Sequence, residues 1–283
     1  MIVARKLTKE YGDKLAVDDI SFDIQDGLSF GLLGPNGAGK TTTIKMLACL
    51  LAPTSGVITI DGERMSRARN DIKKGMGLVS QHISLQREMT PSEALNLHGM
   101  LHKIKRKERK KRIEELLKFA GLYEDKNKLI GKLSGGNKRK LMIIRSVMHR
   151  PKILFLDEPT VGLDVSIRRA IWDLLKKLKD DGMTILLTTH YIEEARTLCD
   201  EIAMIMDGKI VAQDTPERFM QTVLPIVVES FDGEATAYEF FENRHEASIY
   251  AEKIGGTVVI RKTNLEDVYV MLTHTDLTKK EAK

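Results

Sequence analysis

Long apolar runs are missing from this 283-residue chain. Its most apolar stretches, Ile153–Leu156 and Ile185–Leu187, are strand-sized. Crossing a bilayer takes roughly 18–20 such residues, so any membrane role is expected to be peripheral. The stretch after Met1 reads as a short β-strand and lacks the apolar core of a secretion signal. A cytoplasmic or cytoplasm-facing protein is expected. Cysteine is scarce: Cys49 and Cys199 lie far apart inside apolar patterns, without a partner at metal-ligand spacing. That argues against a disulfide framework or a thiolate metal site and leaves two buried structural thiols. No internal repeat or low-complexity tract is apparent. With 42% hydrophobic and 30% charged residues the composition is globular. The length allows one large core or two smaller ones.

Excess charge is small, at +5. Much of the basicity falls in one run, Lys103-Ile104-Lys105-Arg106-Lys107-Glu108-Arg109-Lys110-Lys111-Arg112. A solvated helix face is the plain reading, and contact with lipid headgroups or a partner is the alternative. The run has no interleaved aromatic residues to stack bases, which argues against specific nucleic-acid binding.

What is present is an alternation of strand and helix patterns. Ile2–Leu7 and Ser21–Ile24 alternate, with a turn at Tyr11–Lys14. Leu28–Leu33 is an apolar strand. Helical character runs from Lys40 to about Leu51, and Gly56–Ile60 is again a strand. From about Pro91 to Arg150 the pattern is helical, with a helix start at Pro91-Ser92-Glu93 and a stop at Gly121. After Pro151 the strands resume at Lys152–Leu156 and Met183–Thr188, with helices at Ser166–Leu178 and Ile192–Cys199. A hairpin is expected around Asp207-Gly208. Past Thr215-Pro216 the composition shifts. Ile226–Glu229, a helix near His245–Ile254, a turn at Gly255-Gly256, Thr257–Ile260 and a helix at Leu265–Leu272 predict a small α+β appendage. The whole predicts a sheet wrapped by helices, interrupted by a helical insertion.

Two features carry chemistry. Gly34-Pro35-Asn36-Gly37-Ala38-Gly39-Lys40-Thr41 follows a strand and opens a helix, the setting a phosphate-binding loop requires. Its glycines let backbone N–H groups approach phosphate oxygens, and the helix points its positive end at the same anion. Lys40 would bridge the β- and γ-phosphates, Thr41 would offer its hydroxyl to magnesium, and Thr42 would reach the α-phosphate. The second feature, Asp157-Glu158, ends an apolar strand and so reaches the edge of the sheet where ligands bind. Asp157 would hold magnesium and Glu158 would orient the attacking water.

Between them stands Leu133-Ser134-Gly135-Gly136-Asn137, and with it the chain resembles the nucleotide-binding subunit of an ATP-binding-cassette (ABC) transporter. The likeness runs from about residue 2 to 213. It implies a P-loop NTPase core of RecA-like α/β type, with an antiparallel β subdomain and an inserted helical subdomain. The core would take residues 1–81 and 151–213, the helical subdomain about 82–150, and the appendage 214–283. By the same resemblance Tyr11 stacks on adenine with Val17 beside it, and Gly34 to Thr42 form the Walker A loop. Gln81 is the Q-loop glutamine, reaching magnesium and water. Ser134-Gly135-Gly136 are the signature motif, Leu163-Asp164 the D-loop, and His190 the switch histidine at the γ-phosphate. Exposed amides at Gly135 and Gly136, with the Ser134 hydroxyl, form an anion site at a helix N-terminus with no phosphate in its own subunit. Two chains head to tail would sandwich two ATP molecules, whose γ-phosphates bridge the subunits until hydrolysis.

The implied activity is ATP hydrolysis that powers separately encoded transmembrane permease subunits, with ATP and Mg2+ as cofactors. The location is the cytoplasmic face of the membrane. The second ATPase subunit is an identical chain or a paralogue. Thr189–Ala195 and Leu265-Glu266-Asp267-Val268-Tyr269 resemble exporter-type subunits. The alternative is a soluble ABC ATPase acting on ribosomes or nucleic acid. A small GTPase is disfavoured, since Asn127-Lys128 is followed by Leu129-Ile130 rather than a base-reading aspartate. Asn137 replaces the family's usual glutamine, and the shorter side chain predicts altered affinity or rate rather than inactivity.

Overall fold

The computed structural model describes residues 1–66, 68–231, 233–254 and 257–271. The chain divides into two compact units, one of Met1–Val211 and one from Ala212 onward.

The first unit opens with the long strands β1 (Ile2–Tyr11) and β2 (Lys14–Ile24), paired antiparallel around the Tyr11–Lys14 turn. β3 (Ser29–Leu33) then runs into the glycine loop and α1 (Lys40–Leu47). β4 (Ser55–Ile60) and the two-residue β5 (Glu63–Arg64) complete a sheet of order β2-β1-β4-β5. A short α2 (Asn70–Lys73) leads to β6 (Met76–Val79). Three longer helices follow: α3 (Pro91–Leu101), α4 (Arg106–Phe119) and α5 (Gly135–Ser146). Next come β7 (Ile153–Asp157), α6 (Val165–Asp180), β8 (Thr184–Thr189), α7 (Ile192–Leu198), β9 (Glu201–Met206) and β10 (Lys209–Asp214).

The second sheet has the order β10-β9-β3-β8-β7-β6. β3 pairs in parallel with β8 and β9, and β7 with β6 and β8. Every residue of β3, β7 and β8 is buried. That explains why they read as unbroken apolar runs rather than alternating ones: helices cover both faces of a parallel sheet. The antiparallel sheet shares its core with this one through Ile20, Phe22, Ile58 and Ile60 packed with Phe30, Ile44 and Phe155. Phe22 and Phe30 stack with centroids 5.3 Å apart.

The helical insertion starts where the sequence placed it. Thr90 accepts from the Glu93 amide at 3.3 Å while Glu93 accepts from the Thr90 amide at 2.8 Å, and Pro91 needs no donor there. Leu95, Leu117, Leu122, Ile130 and Leu141 form its interior.

Several expectations need correction. α1 ends at Leu47, not near Leu51, because Cys49 takes a left-handed φ of 54° and Leu50 and Leu51 turn back to the Lys45 carbonyl. The basic run is only partly a solvated face. Arg109 turns inward to Asn96 (2.7 Å) and the Ile104 carbonyl (2.6 Å), and Arg112 is half-buried. Both cysteines are free; Cys199 is buried, which pushes its thiol well up, but Cys49 is only half-buried.

In the second unit α8 (Pro216–Gln221), capped by Thr215, precedes a three-stranded antiparallel sheet. β11 (Ile226–Phe231) is central, flanked by β12 (Thr236–Phe241) and β13 (Thr257–Lys262). α9 (Arg244–Ala251) packs on the sheet through buried Ala247. β12 was not anticipated, because four of its six residues are exposed and it carries little periodic apolar signal. Residues 265–271 are helical; Leu272 and the turn at Gly255-Gly256 lie outside the described residues.

Candidate functional site

The loop between β3 and α1 is held from below by backbone. Gly34 donates to the Thr189 carbonyl (3.2 Å), and Gly208 donates to the Ala38 carbonyl (3.2 Å). Gly39 sits at φ 104°, and a Cβ there would lie 2.5 Å from the Ala16 carbonyl oxygen. At Gly34 a Cβ would lie 2.2 Å from the Ile205 carbonyl. Neither position admits a side chain, so the glycine spacing in the sequence has a steric cause.

Lys40, 5% exposed, donates to the Gly34 carbonyl (2.8 Å) and the Pro35 carbonyl (3.0 Å). It also pairs with Glu158 Oε1 at 3.2 Å. Thr41 Oγ1 donates to Asp157 Oδ1 at 2.9 Å, and Thr188 Oγ1 donates to the same oxygen at 2.7 Å. The register explains the second contact, since Asp157 on β7 faces Thr188 on β8. Glu158, 4% exposed, takes a left-handed φ of 49°, and its amide is fixed by the Thr188 hydroxyl at 3.1 Å. Its Oε2 accepts from His190 Nδ1 at 2.8 Å. Lys40, Glu158 and His190 thus form one chain of contacts.

Above these groups opens a cleft of about 440 Å³, lined by Tyr11, Ala16, Asn36, Thr42, Gln81 and Glu158 among others. Tyr11 is 48% exposed, free to offer a ring face, with Lys9 Nζ 5.3 Å from its centroid. Val17 is fully buried beneath Gly39, and Ala16 lines the cleft in its place. Ala38 is also buried, so it can serve only through its backbone. A larger cleft of about 600 Å³ between α1 and β4 is lined mainly by apolar side chains such as Met46, Leu51 and Met65, and holds none of these residues.

Ser134, Gly135 and Gly136 stand elsewhere. Ser134 caps α5 by accepting from the Asn137 amide at 3.2 Å, and Ser134 and Gly135 are exposed. Neither lines the cleft. Gly136, expected to be exposed like Gly135, is instead buried against Ile167, where a Cβ would lie 2.3 Å from Cγ2. Asp164 caps α6, accepting from the Ile167 amide (2.9 Å) and the Ser166 hydroxyl (2.8 Å), and these bonds hold its carboxyl below the usual range. Asn137 turns its amide inward to Asp125 at 3.1 Å.

Two residues escaped the sequence reading. Arg139 on α5 is 4% exposed and spends its whole guanidinium on backbone carbonyls. It reaches Ser80 (2.6 Å), Gln81 (3.1 Å), Asp157 (3.1 Å), Glu158 and Pro159 (2.6 Å). Burial lowers its pKa, but a guanidinium does not lose its proton in proteins. Nothing in the sequence separates Arg139 from its neighbours Lys138 and Lys140. Glu194 is fully buried, and its Oε1 accepts from Thr160 (2.7 Å) and Trp172 (3.1 Å). Desolvation raises its pKa against those hydrogen bonds, with the Glu158 charge adding to the rise.

The ATP-binding assignment rests on this assembly: a cradled loop, a buried lysine and an Asp-Glu pair at the sheet edge. The ABC transporter family profile matches residues 17–161, more than half of the chain. The chain belongs to the ABC transporter family. It is 42% identical over 215 residues to the linearmycin resistance ATP-binding protein LnrL of Bacillus subtilis, covering 76% of this chain and 69% of that protein. It is 36% identical over 296 residues to the Nod factor export ATP-binding protein I of Burkholderia lata, covering 95% of each. Among solved structures, the ATP-binding subunit of an ABC transporter aligns with a TM-score of 0.73 at 25% identity, covering 96% of this chain and 99% of that one. A dimeric post-hydrolysis cassette bound to ADP and Pi aligns at 0.68 and 31% identity, covering 76% and 98%. This ABC subunit is therefore an ATPase with a P-loop α/β fold. Among its described residues no helix is long and apolar enough to cross a membrane.

Arg139→Lys tests the clamp, because one ammonium cannot serve five carbonyls. Unfolding in urea should show a loss of about 2 kcal/mol, and ATP turnover should fall with it. Unchanged values in both would remove the clamp from the site. Glu194 gives a pH prediction. Its raised folded pKa means the native state binds the extra proton, so its contribution is complete below the ordinary value near 4.5 and is lost as pH rises through the folded value. Glu194→Gln should gain thermal stability relative to wild type as pH rises above 5. A constant difference from pH 5 to 8 would contradict the assignment.

Proposed function

We propose that this chain is the energy-supplying subunit of an exporter, working as a head-to-tail pair that binds two Mg-ATP and drives separate transmembrane permease subunits. The observation that carries the reading is the position of the signature residues. Ser134 and Gly135 are exposed at the start of α5 and outside the cleft that holds Lys40 and Glu158. A helix N-terminus with an exposed glycine, Gly135, and a serine hydroxyl beside it suits an anion, and a second chain's γ-phosphate is the ligand that fits it.

Within one chain, Tyr11 would take the adenine face and the loop from Gly34 to Thr42 the phosphates. Thr41 and Asp157 suit a magnesium ion: hydroxyl and carboxylate oxygens 2.9 Å apart beside the phosphate loop are the hard donors it takes. When bound, magnesium neutralises charge on the phosphate oxygens. Lys40 would exchange its loop carbonyls and Glu158 for the β- and γ-phosphates. Glu158, released from Lys40 and still held by His190, would orient water for attack. Gln81 would report the occupant of the cleft to a permease. Asp164, at the start of α6, would meet the partner chain.

Residues 1–213 are taken as the ATPase domain, with 82–150 as its helical subdomain and 214–283 as an appendage of unassigned role. The export direction is supported by the relatives named for linearmycin resistance and Nod factor export. A peripheral place on the cytoplasmic face of the membrane follows from a permease partner.

Glu158→Gln should bind Mg-ATP but hydrolyse it at least about 100-fold more slowly, accumulating a dimer seen by light scattering. Ser134→Arg in the same background should abolish that dimer while leaving ATP binding by the single chain intact. Loss of nucleotide binding in the Ser134→Arg protein would show that Ser134 acts within its own chain and would end the sandwich reading. Copurification of Glu158→Gln with a stoichiometric polytopic membrane protein would complete the assignment; recovery with ribosomal proteins alone would overturn it.

A further inference from the structure

Three of the seven histidines gather in the helical insertion, away from the nucleotide cleft. His98 lies in the last turn of α3, and His102 follows its end four residues later, on the same side of the helix. His149 comes from the segment after α5. Ring centroids are 4.6 Å apart for His98–His102, 5.6 Å for His98–His149 and 3.8 Å for His102–His149. One ring nitrogen from each lies within 4.8 Å of the other two.

Hydrogen bonding shows what two of these rings have in common. His149 Nε2 sits 2.9 Å from the Met76 carbonyl, which can only accept, so Nε2 carries the hydrogen and Nδ1 the lone pair. That Nδ1 is buried without a hydrogen-bond partner, and so is His98 Nε2. Buried ring nitrogens normally have partners, and two unpartnered ones in a single cluster need a cause. The arrangement at His149 is that of a metal-ligating imidazole, whose outer N–H is typically held by a backbone carbonyl that fixes the tautomer. Burial pushes all three rings down in pKa, His98 to about 4 with its neighbours' charges adding, so they stay neutral at physiological pH, the form in which imidazole binds metals.

We propose that His98, His102 and His149 form a binding site for a divalent transition-metal cation, with zinc as the ion their three nitrogen donors fit best. Three imidazoles leave a fourth tetrahedral position for water. No carboxylate belongs to the group, which sets it apart from the oxygen donors of Thr41 and Asp157 and makes it a poor host for magnesium or calcium. Arg145 lies near enough to oppose a cation, though its guanidinium is engaged with Ser84 at 2.8 and 3.0 Å. Binding therefore depends on the three donors and not on net attraction. Zinc–nitrogen bonds of about 2.05 Å at tetrahedral angles put the donors about 3.4 Å apart. The donors must close by up to about 1.4 Å, and His102 must fan away from its 15° stack on His149 so that the lone pairs converge. A bound ion would brace the end of α3 to the connection between α5 and β7.

The test uses untagged full-length protein, free of added histidines, with Co2+ as a spectroscopic probe and then zinc against a chromogenic chelator. One equivalent of Co2+ should give the visible d–d bands of a tetrahedral nitrogen site, and zinc should bleach them. His102→Gln and His149→Gln should each weaken zinc binding by at least about 10-fold, the lower end of what loss of even an outer partner costs. His245→Gln, in the second unit, should change nothing. Zinc should raise the thermal unfolding midpoint of wild type relative to EDTA, and not that of His102→Gln. Wild type that shows no d–d bands, or variants that bind zinc as wild type does, would overturn the site.

Discussion

Arg139 is the interaction on which the rest of the site depends. A buried guanidinium normally seeks a carboxylate, and leaving it unpaired is costly. Here the main chain takes that place. Carbonyls of Ser80, Gln81, Asp157, Glu158 and Pro159 converge on one side chain. The residue therefore ties α5 to the strand end that carries Asp157-Glu158 and to the loop that carries Gln81. Because Ser134 caps the start of α5, one rigid fork on that helix connects the signature end to the backbone of Glu158. Glu158, whose carbonyl accepts from Arg139, is also held at a left-handed φ of 49°.

Electrostatics at the site are satisfied internally. Lys40 and Glu158 are each about 5% exposed and face each other at 3.2 Å. The Lys40 ammonium also donates to two carbonyls, and Glu158 accepts from His190. Buried ions tolerate burial only with such partners. Thr41 and Thr188 perform the same service for Asp157.

Most of the fold was legible because the signals were local and strong. Buried parallel strands appeared as apolar runs, the glycine loop appeared between strand and helix, and Pro91 with Glu93 marked a cap that the structure forms. Residues of the loop, Glu158, Gln81 and Tyr11 do meet at one cleft, with Asp157 behind Thr41. What stayed hidden was set by tertiary contact. Arg139 looks like any cation in Lys138-Arg139-Lys140, and only the packing of α5 turns it inward. Val17 reads as a plausible wall of the adenine site, but the pleat of β2 points it into the core. Edge strand β12 is too exposed to leave a pattern. His98, His102 and His149 are brought together by the packing of α3 beside α5, which spacing alone shows for just the first two.

The pairing of Lys40 with Glu158 has a consequence for nucleotide affinity. If Lys40 takes phosphates as proposed, Glu158 would act as a tethered competitor, present at the lysine at the high effective concentration that a short connection confers. A phosphate arriving at Lys40 would have to displace it, and the affinity for ATP would then be a difference between two anions rather than the strength of one. Weakening the internal rival would then tighten nucleotide capture while removing the group proposed to orient water. In the function proposed above, the carboxylate that occupies the lysine and the one that would polarise water are the same, so arrival of the substrate would itself set the base free.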